Sequence, residues 1–230
     1  MDNYDKHFQE VNRSKTGEYS RDGAINPSKW ASSNPRIIFM LKQTAGYSES
    51  SAKGWSIVDE IERDGGWLSP GKKAITYKKL ASLSWLLSES MKRGAPLSEQ
   101  ESKKLGKSRN DLIAAISNSA IVNICKHSGS VTSNNKYILD QGKKNSTIIR
   151  QQIEELSPGV IVAGSDVVWN ALANSEWGIC KDIISEPVQR HECKRFNNII
   201  FYHANHPSAW TGGGFDVIKI HRQIYELLMS

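Results

Sequence analysis

Four short apolar runs, separated by segments of helical periodicity, organise this chain. Arg36 to Leu41 reads RIIFML, Ala120 to Cys125 reads AIVNIC, Val160 to Gly164 reads VIVAG and Asn198 to His203 reads NIIFYH. Runs this short and this continuously apolar are expected for strands covered on both faces. Between them, Leu80, Leu83, Leu87 and Met91 recur at helical spacing from Thr76 and stop at Arg93-Gly94, which predicts an amphipathic helix. A second helix is expected around Leu112 to Ile116. Ser146-Thr147 is expected to cap a third, running through Ile148, Ile149, Ile153 and Leu156 to a stop at Pro158-Gly159. SDVVWNALA and FDVIKIHRQIYELLM read as two further helices.

Strands alternating with helices predict an α/β fold: three layers, α/β/α, around a central, mainly parallel four-stranded sheet. Residues 35–230 are expected to form one domain whose core begins at Pro35. The polar, turn-rich residues 1–34 read as a loosely packed arm with room for one short helix. PLSEQESKKLGKSRN reads as a charged connector, and the stretches after the first two strands, KQTAGYSESSAKG and KHSGSVTSNNK, as polar loops.

Composition narrows the function classes. A chain of 230 residues with 38% hydrophobic content can bury one sizeable core. Thirty Lys and Arg against 24 Asp and Glu give a formal charge of +6 and a pI near 9.1, so an anionic partner is expected, and nucleic acid fits better than a membrane. No apolar run approaches the roughly 20 residues that span a bilayer, and MDNYDKHFQEVNRSK has no apolar signal stretch. A soluble, cytoplasmic monomer is the expectation. Cys125, Cys180 and Cys193 are too few and too widely spaced for a zinc knuckle or a four-cysteine cluster, so free thiols, no metal and no cofactor are expected.

Three motifs carry little. GWLSPGKK (Gly66 to Lys73) matches the core of a phosphate loop, but Lys73 replaces the magnesium-binding hydroxyl and no strand precedes it. VAGSD (Val162 to Asp166) lacks the second glycine of a nucleophile elbow, which leaves Ser165 as a helix cap near a phosphate. His191-Glu192-Cys193 lacks the partners of a zinc-deaminase site.

The remaining signal lies at the strand ends: Lys42-Gln43-Thr44 after the first, Asn123 within the second, Gly164-Ser165 after the third and His206-Pro207-Ser208 after the fourth. In a parallel sheet these ends share one edge, where open α/β folds place their ligands. An isolated histidine beside a Pro-Ser turn is more often structural; four such features in order carry more weight than one.

With these segments in view, the chain resembles the uracil-DNA glycosylase superfamily across residues 35–229. NPRIIFMLKQTAG is similar to the family's first motif region, AIVNICK to its T-N-x-x-K strand, LSPGVIVAGS to its L-x-P-x-V-I-V-x-x-G segment and NHPSAW to its last motif. The resemblance implies that His206 donates to a carbonyl oxygen of a flipped base as negative charge develops there. It implies that Asn123 reads the base edge with its amide, the alternative being that Asn123 bonds neighbouring backbone. Thr44, Ser165 and Ser208 would contact the substrate, Tyr47 or Trp55 would stack on the base, and Trp210 would fill the gap left by the extruded nucleotide, with Gly212 to Gly214 giving backbone freedom.

The first motif departs from the family. Where a water-positioning carboxylate or Asn is frequent, this chain has Gln43, which orients water without taking its proton, so a carboxylate from elsewhere, such as Asp166 or Asp59, is an alternative. The expected activity is that of a monofunctional DNA glycosylase leaving an abasic site. Its base would be a damaged or modified pyrimidine, and a hypermodified cytosine of bacteriophage DNA, excised as antiviral defence, is one form of this. The rival readings are a non-catalytic nucleic-acid binding or sensing module on the same scaffold, and a hydrolase or transferase acting on free nucleotides.

Overall fold

The computed structural model describes residues 22–43, 58, 61, 75–104, 108–126, 134–208 and 214–230. Among the described residues, six strands form one mixed sheet: β1 (Gly23–Ala24), β2 (Ile37–Leu41), β3 (Ser119–Asn123), β4 (Val160–Ala163), β5 (Cys193–Phe196) and β6 (Ile199–His203), in the spatial order β1-β3-β2-β4-β6-β5. The inner four, β3, β2, β4 and β6, are mutually parallel. The outer two pair antiparallel, β1 with β3 and β5 with β6. The four apolar runs are therefore the parallel centre, and the expected four-stranded sheet is corrected to six by two short edges. One edge is only two residues long, and the other, CKRF, has no apolar pattern.

Side-chain alternation divides the core in two. Ile37, Phe39, Leu41, Ile121, Val160, Val162, Ile200 and Tyr202 face one way. They meet α2 (Ile75–Arg93) through Leu80, Leu83 and Leu87, α4 (Arg109–Ser117) through Ile116, and α8 (Val217–Met229) through Ile220 and Ile224. Ile38, Met40, Ala120, Val122, Ile161 and Phe201 face the other way. There they meet α1 (Pro27–Ser32), α5 (Asn135–Lys144), α6 (Ser146–Leu156) and α7 (Asp166–Ala173). Each fully buried Ile, Leu or Phe contributes about 1.5–3 kcal/mol, so the two faces hold the layers together. The short α3 (Glu99–Lys104) lies within the charged connector.

Three other expectations are revised. Residues 22–34 belong to the packed fold and not to a loose arm ending at Pro35: Asp22 is buried, β1 edges the sheet, and Trp30 of α1 is buried with its indole N–H donating to the Leu156 carbonyl at 3.2 Å. The expected polar loop KHSGSVTSNNK ends in the start of α5, whose N-cap Asn134 accepts from the Lys136 and Tyr137 amides and whose buried residues are Ile138 and Gly142. Ser146 and Thr147 do not cap α6; Asn145 stands at that position and makes no side-chain cap bond.

The connection from β2 to β3 passes over one face through α2 and α4, and that from β3 to β4 over the other through α5 and α6. Because β3 and β4 flank β2, the winding reverses there, and the carboxyl ends of β2 and β4 border the crevice where doubly wound sheets bind ligands. Among the described residues, no helix is long and apolar enough to cross a membrane.

Candidate functional site

The strand ends are held in register beyond the sheet. The Gly164 amide donates to the Met40 carbonyl at 2.9 Å, Cys125 N–H to Lys42 O at 2.8 Å, and Ala204 N–H to Ala163 O at 2.9 Å. Lys42-Gln43, Gly164-Ser165 and the HPS turn thus leave the sheet side by side. Gly164 permits this: a Cβ there would lie 2.9 Å from Leu41 Cδ2, 3.1 Å from the Met40 carbonyl oxygen and 3.4 Å from Pro207 Cδ.

His206 is partly buried above this edge. The Ser208 main-chain N–H donates to His206 Nδ1 at 3.2 Å, and Ser208 Oγ lies 2.7 Å from the same nitrogen. A nitrogen that accepts an amide proton carries none itself, so the hydroxyl also donates and the ring proton of the neutral form sits on Nε2. Burial first, then the cations of Lys42 and Lys79, push the pKa of His206 down to about 4. At neutral pH the residue is an uncharged Nε2–H donor among positive charges. That arrangement suits stabilisation of an oxyanion without donation of a full proton.

Lys42 joins two parts of the edge. Its Nζ donates to Asn135 Oδ1 of α5 at 3.0 Å, and burial lowers its pKa while the Asp166 carboxylate opposes the shift. Gln43, partly buried, follows directly. Ser165 caps α7, its hydroxyl oxygen accepting from the Val168 amide at 3.3 Å. Ser208 spends its hydroxyl on His206.

Asn123 is buried at the end of β3, and its main-chain N–H donates to Asp22 Oδ2 at 2.6 Å. Asp22 in turn receives the buried Lys126 ammonium. This support of Asn123 from residues 101 positions away is absent from the sequence reading; the N-x-x-K spacing of Asn123 and Lys126 was its only trace.

Asp166, the alternative carboxylate, is engaged. Arg190 Nε donates to its Oδ1 at 2.8 Å, Arg190 also binds Oδ2, and His203 Nε2 lies 3.1 Å from Oδ1. His203 places its Nδ1 3.2 Å from the Val188 carbonyl and stacks on Trp169 with centroids 4.9 Å apart. Burial lowers the pKa of His203 against the pull of these acceptors. Asp166, held by both nitrogens of the Arg190 fork, ties the 185–192 loop to α7.

Thr44, Tyr47, Trp55, Asp59 and Trp210 lie outside the described residues. Among the described residues, no group of three or more His, Cys, Asp and Glu could hold a metal ion. Cys125 and Cys180 are buried, and burial pushes Cys180 up to about 12 and the partly buried Cys193 up to about 11, so neither is a ready nucleophile. Two cavities lie elsewhere. One, of about 430 Å³, opens at the amino ends of the strands beside Pro35, Ser84 and Ser119, and the other, of about 510 Å³, lies between α5 and α7 beside Trp169 and Trp177. Neither includes His206. Comparison with protein-family models and with curated proteins finds no match to this chain.

Proposed function

We propose that the protein is a monofunctional DNA glycosylase of the uracil-DNA glycosylase type, acting on a damaged or modified pyrimidine. The observation that carries this reading is the His206–Ser208 pair, which fixes a neutral Nε2–H donor near Lys42 and Lys79 at the edge where the parallel centre of the sheet reverses its winding. A departing pyrimidine develops negative charge on its carbonyl oxygen. A neutral imidazole N–H stabilises that charge, as the nearby ammonium groups do. Water then bonds to C1′ as the glycosidic bond breaks, its proton passing to solvent or to the released base. The sugar is left abasic. Gln43 orients the water, and an oxocarbenium-like transition state asks little of a base. The formal charge of +6 suits the phosphates of the substrate.

Base release from DNA bearing uracil, deaminated purines or phage-type modified cytosines, read as cleavage at the abasic site, tests the proposal and names the base. The His206→Ala variant is expected to lose about 10²- to 10³-fold in turnover, the scale of one donor to a developing oxyanion, while still binding DNA. Wild-type turnover in that variant would refute the assignment. The engagement of Asp166 by Arg190 and His203 favours a second reading, a binding or sensing module on the same scaffold; tight binding without release on every substrate would establish it.

A further inference from the structure

The large apolar side chains left exposed among the described residues are Tyr137 and Met229. Met229 is next to the last residue. Tyr137, 42% exposed, sits in the first turn of α5, directly before the fully buried Ile138.

That turn is fastened to the candidate site from two sides. Asn134 Oδ1 accepts from the Lys136 and Tyr137 amides at 3.0 and 3.3 Å, and Asn135 Oδ1 accepts from Lys42 Nζ at 3.0 Å. Burial first, then the neighbouring Cys125, raises the pKa of the Tyr137 phenol. Cys125 is itself bonded through its amide to the Lys42 carbonyl. Lys42 is also one of the two cations acting on His206. The ring is thus 42% exposed on a turn that Asn135 fastens to Lys42 at the rim of the crevice, with the exposed Lys136 next in sequence. An exposed aromatic ring near ammonium groups is the combination that binds single-stranded nucleic acid, the ring stacking on a base while the cations meet the phosphates.

We infer that Tyr137 is a stacking platform for a nucleobase flanking the reacting nucleotide, with Lys136 meeting the adjacent phosphate. This rests on the DNA-glycosylase reading and adds a contact that no motif of the sequence assigned. Base–aromatic stacking is sequence-tolerant, so the platform would hold the strand without choosing the excised base.

The test is fluorescence-anisotropy titration of a labelled single-stranded oligonucleotide with wild-type protein and with Tyr137→Phe, Tyr137→Leu and Lys136→Gln, alongside base-release kinetics and thermal melts. Tyr137→Phe, which keeps the ring, is expected to bind within about twofold of wild type. Tyr137→Leu is expected to lose roughly 5- to 150-fold in affinity, the range of one base stack, with its melt unchanged because the position is exposed. Lys136→Gln should flatten the salt dependence by about one phosphate contact. Wild-type affinity in Tyr137→Leu, with the parent protein binding and releasing base, would overturn the platform and leave the glycosylase reading standing. A parent protein that neither binds nor releases from any DNA would overturn both.

Discussion

Lys126 Nζ lies 2.8 Å from each carboxylate oxygen of Asp22, with the two side chains 1% and 0% exposed. Gln152 completes the group, its Oε1 accepting from Lys126 at 2.8 Å and its Nε2 donating to Asp22 Oδ1 at 3.0 Å. Asp22 also accepts from the Asn123 amide. One buried network thus ties the chain before β1, the end of β3 and helix α6 together beneath the candidate site.

Breaking that network from one side should be costly. Asp22→Ala leaves Lys126 buried and unpaired, and removal of one partner from such a pair costs about 3–5 kcal/mol. Replacing both residues together, Asp22→Leu with Lys126→Met, should recover part of the loss, because the desolvation of two charges disappears with them while Gln152 and the Asn123 amide each lose the bonds they made to the pair. Urea unfolding of the two variants measures this. Equal destabilisation in both would show that the charge pair is not what holds the segment.

The parallel strands were legible because each is buried on both faces, so Ile37–Leu41 and Val160–Ala163 had to read as unbroken apolar runs. The Asp22–Lys126 pair was not legible: it joins residues 104 apart, and although Lys126 lies in an N-x-x-K spacing, no local pattern marks Asp22 as its partner. Helix α5 was hidden for a different reason. It buries little more than Ile138 and Gly142, and its start, Asn134-Asn135-Lys136, has a loop's composition. His206 was visible from the HPS turn, but the contact of the Ser208 hydroxyl with its Nδ1 was not, because a Ser two residues after a His carries no sign of which way its hydroxyl turns.

Ser208→Ala should separate this contact from a role at the substrate. The variant keeps the main-chain N–H on Nδ1 and loses the hydroxyl donor, so the neutral ring is less favoured and the pKa of His206 rises. Loss of one hydrogen bond of about 0.5–1.5 kcal/mol corresponds to roughly 2- to 13-fold in turnover. If Ser208 contacted substrate alone, the imidazole titration would not move.

The titration of His206 has a defined window. Its pKa is about 4 in the folded protein and about 6.5 in an unfolded chain. Between those values the unfolded chain takes up a proton that the folded chain refuses, so acidification from pH 6.5 to pH 4 favours unfolding; above pH 6.5 the residue adds no pH dependence. The acid limb of turnover should fall near pH 4. Lys42→Gln removes one of the two cations and should raise the pKa of His206 part of the way towards 6.5, burial remaining. Imidazole ¹H–¹⁵N spectra across pH measure the shift without any substrate, and an unmoved pKa would remove Lys42 from the site's electrostatics.

Gly164→Ala tests whether the close approach of β4 to β2 positions the HPS turn. The added Cβ would meet the Met40 carbonyl oxygen at 3.1 Å and Leu41 Cδ2 at 2.9 Å. The leucine methyl can turn aside, but the carbonyl cannot, because it accepts the Gly164 amide itself. The strand end must therefore retreat and carry Pro207, 3.4 Å from the new atom, with it. Overpacking of this kind costs about 1–3 kcal/mol, and the displacement of His206 should lower turnover further than that loss of stability accounts for at a temperature where the variant is fully folded. A destabilised variant with wild-type turnover would show that the turn's position does not depend on the crevice wall, and that His206 is held by its own bonds to Ser208 alone.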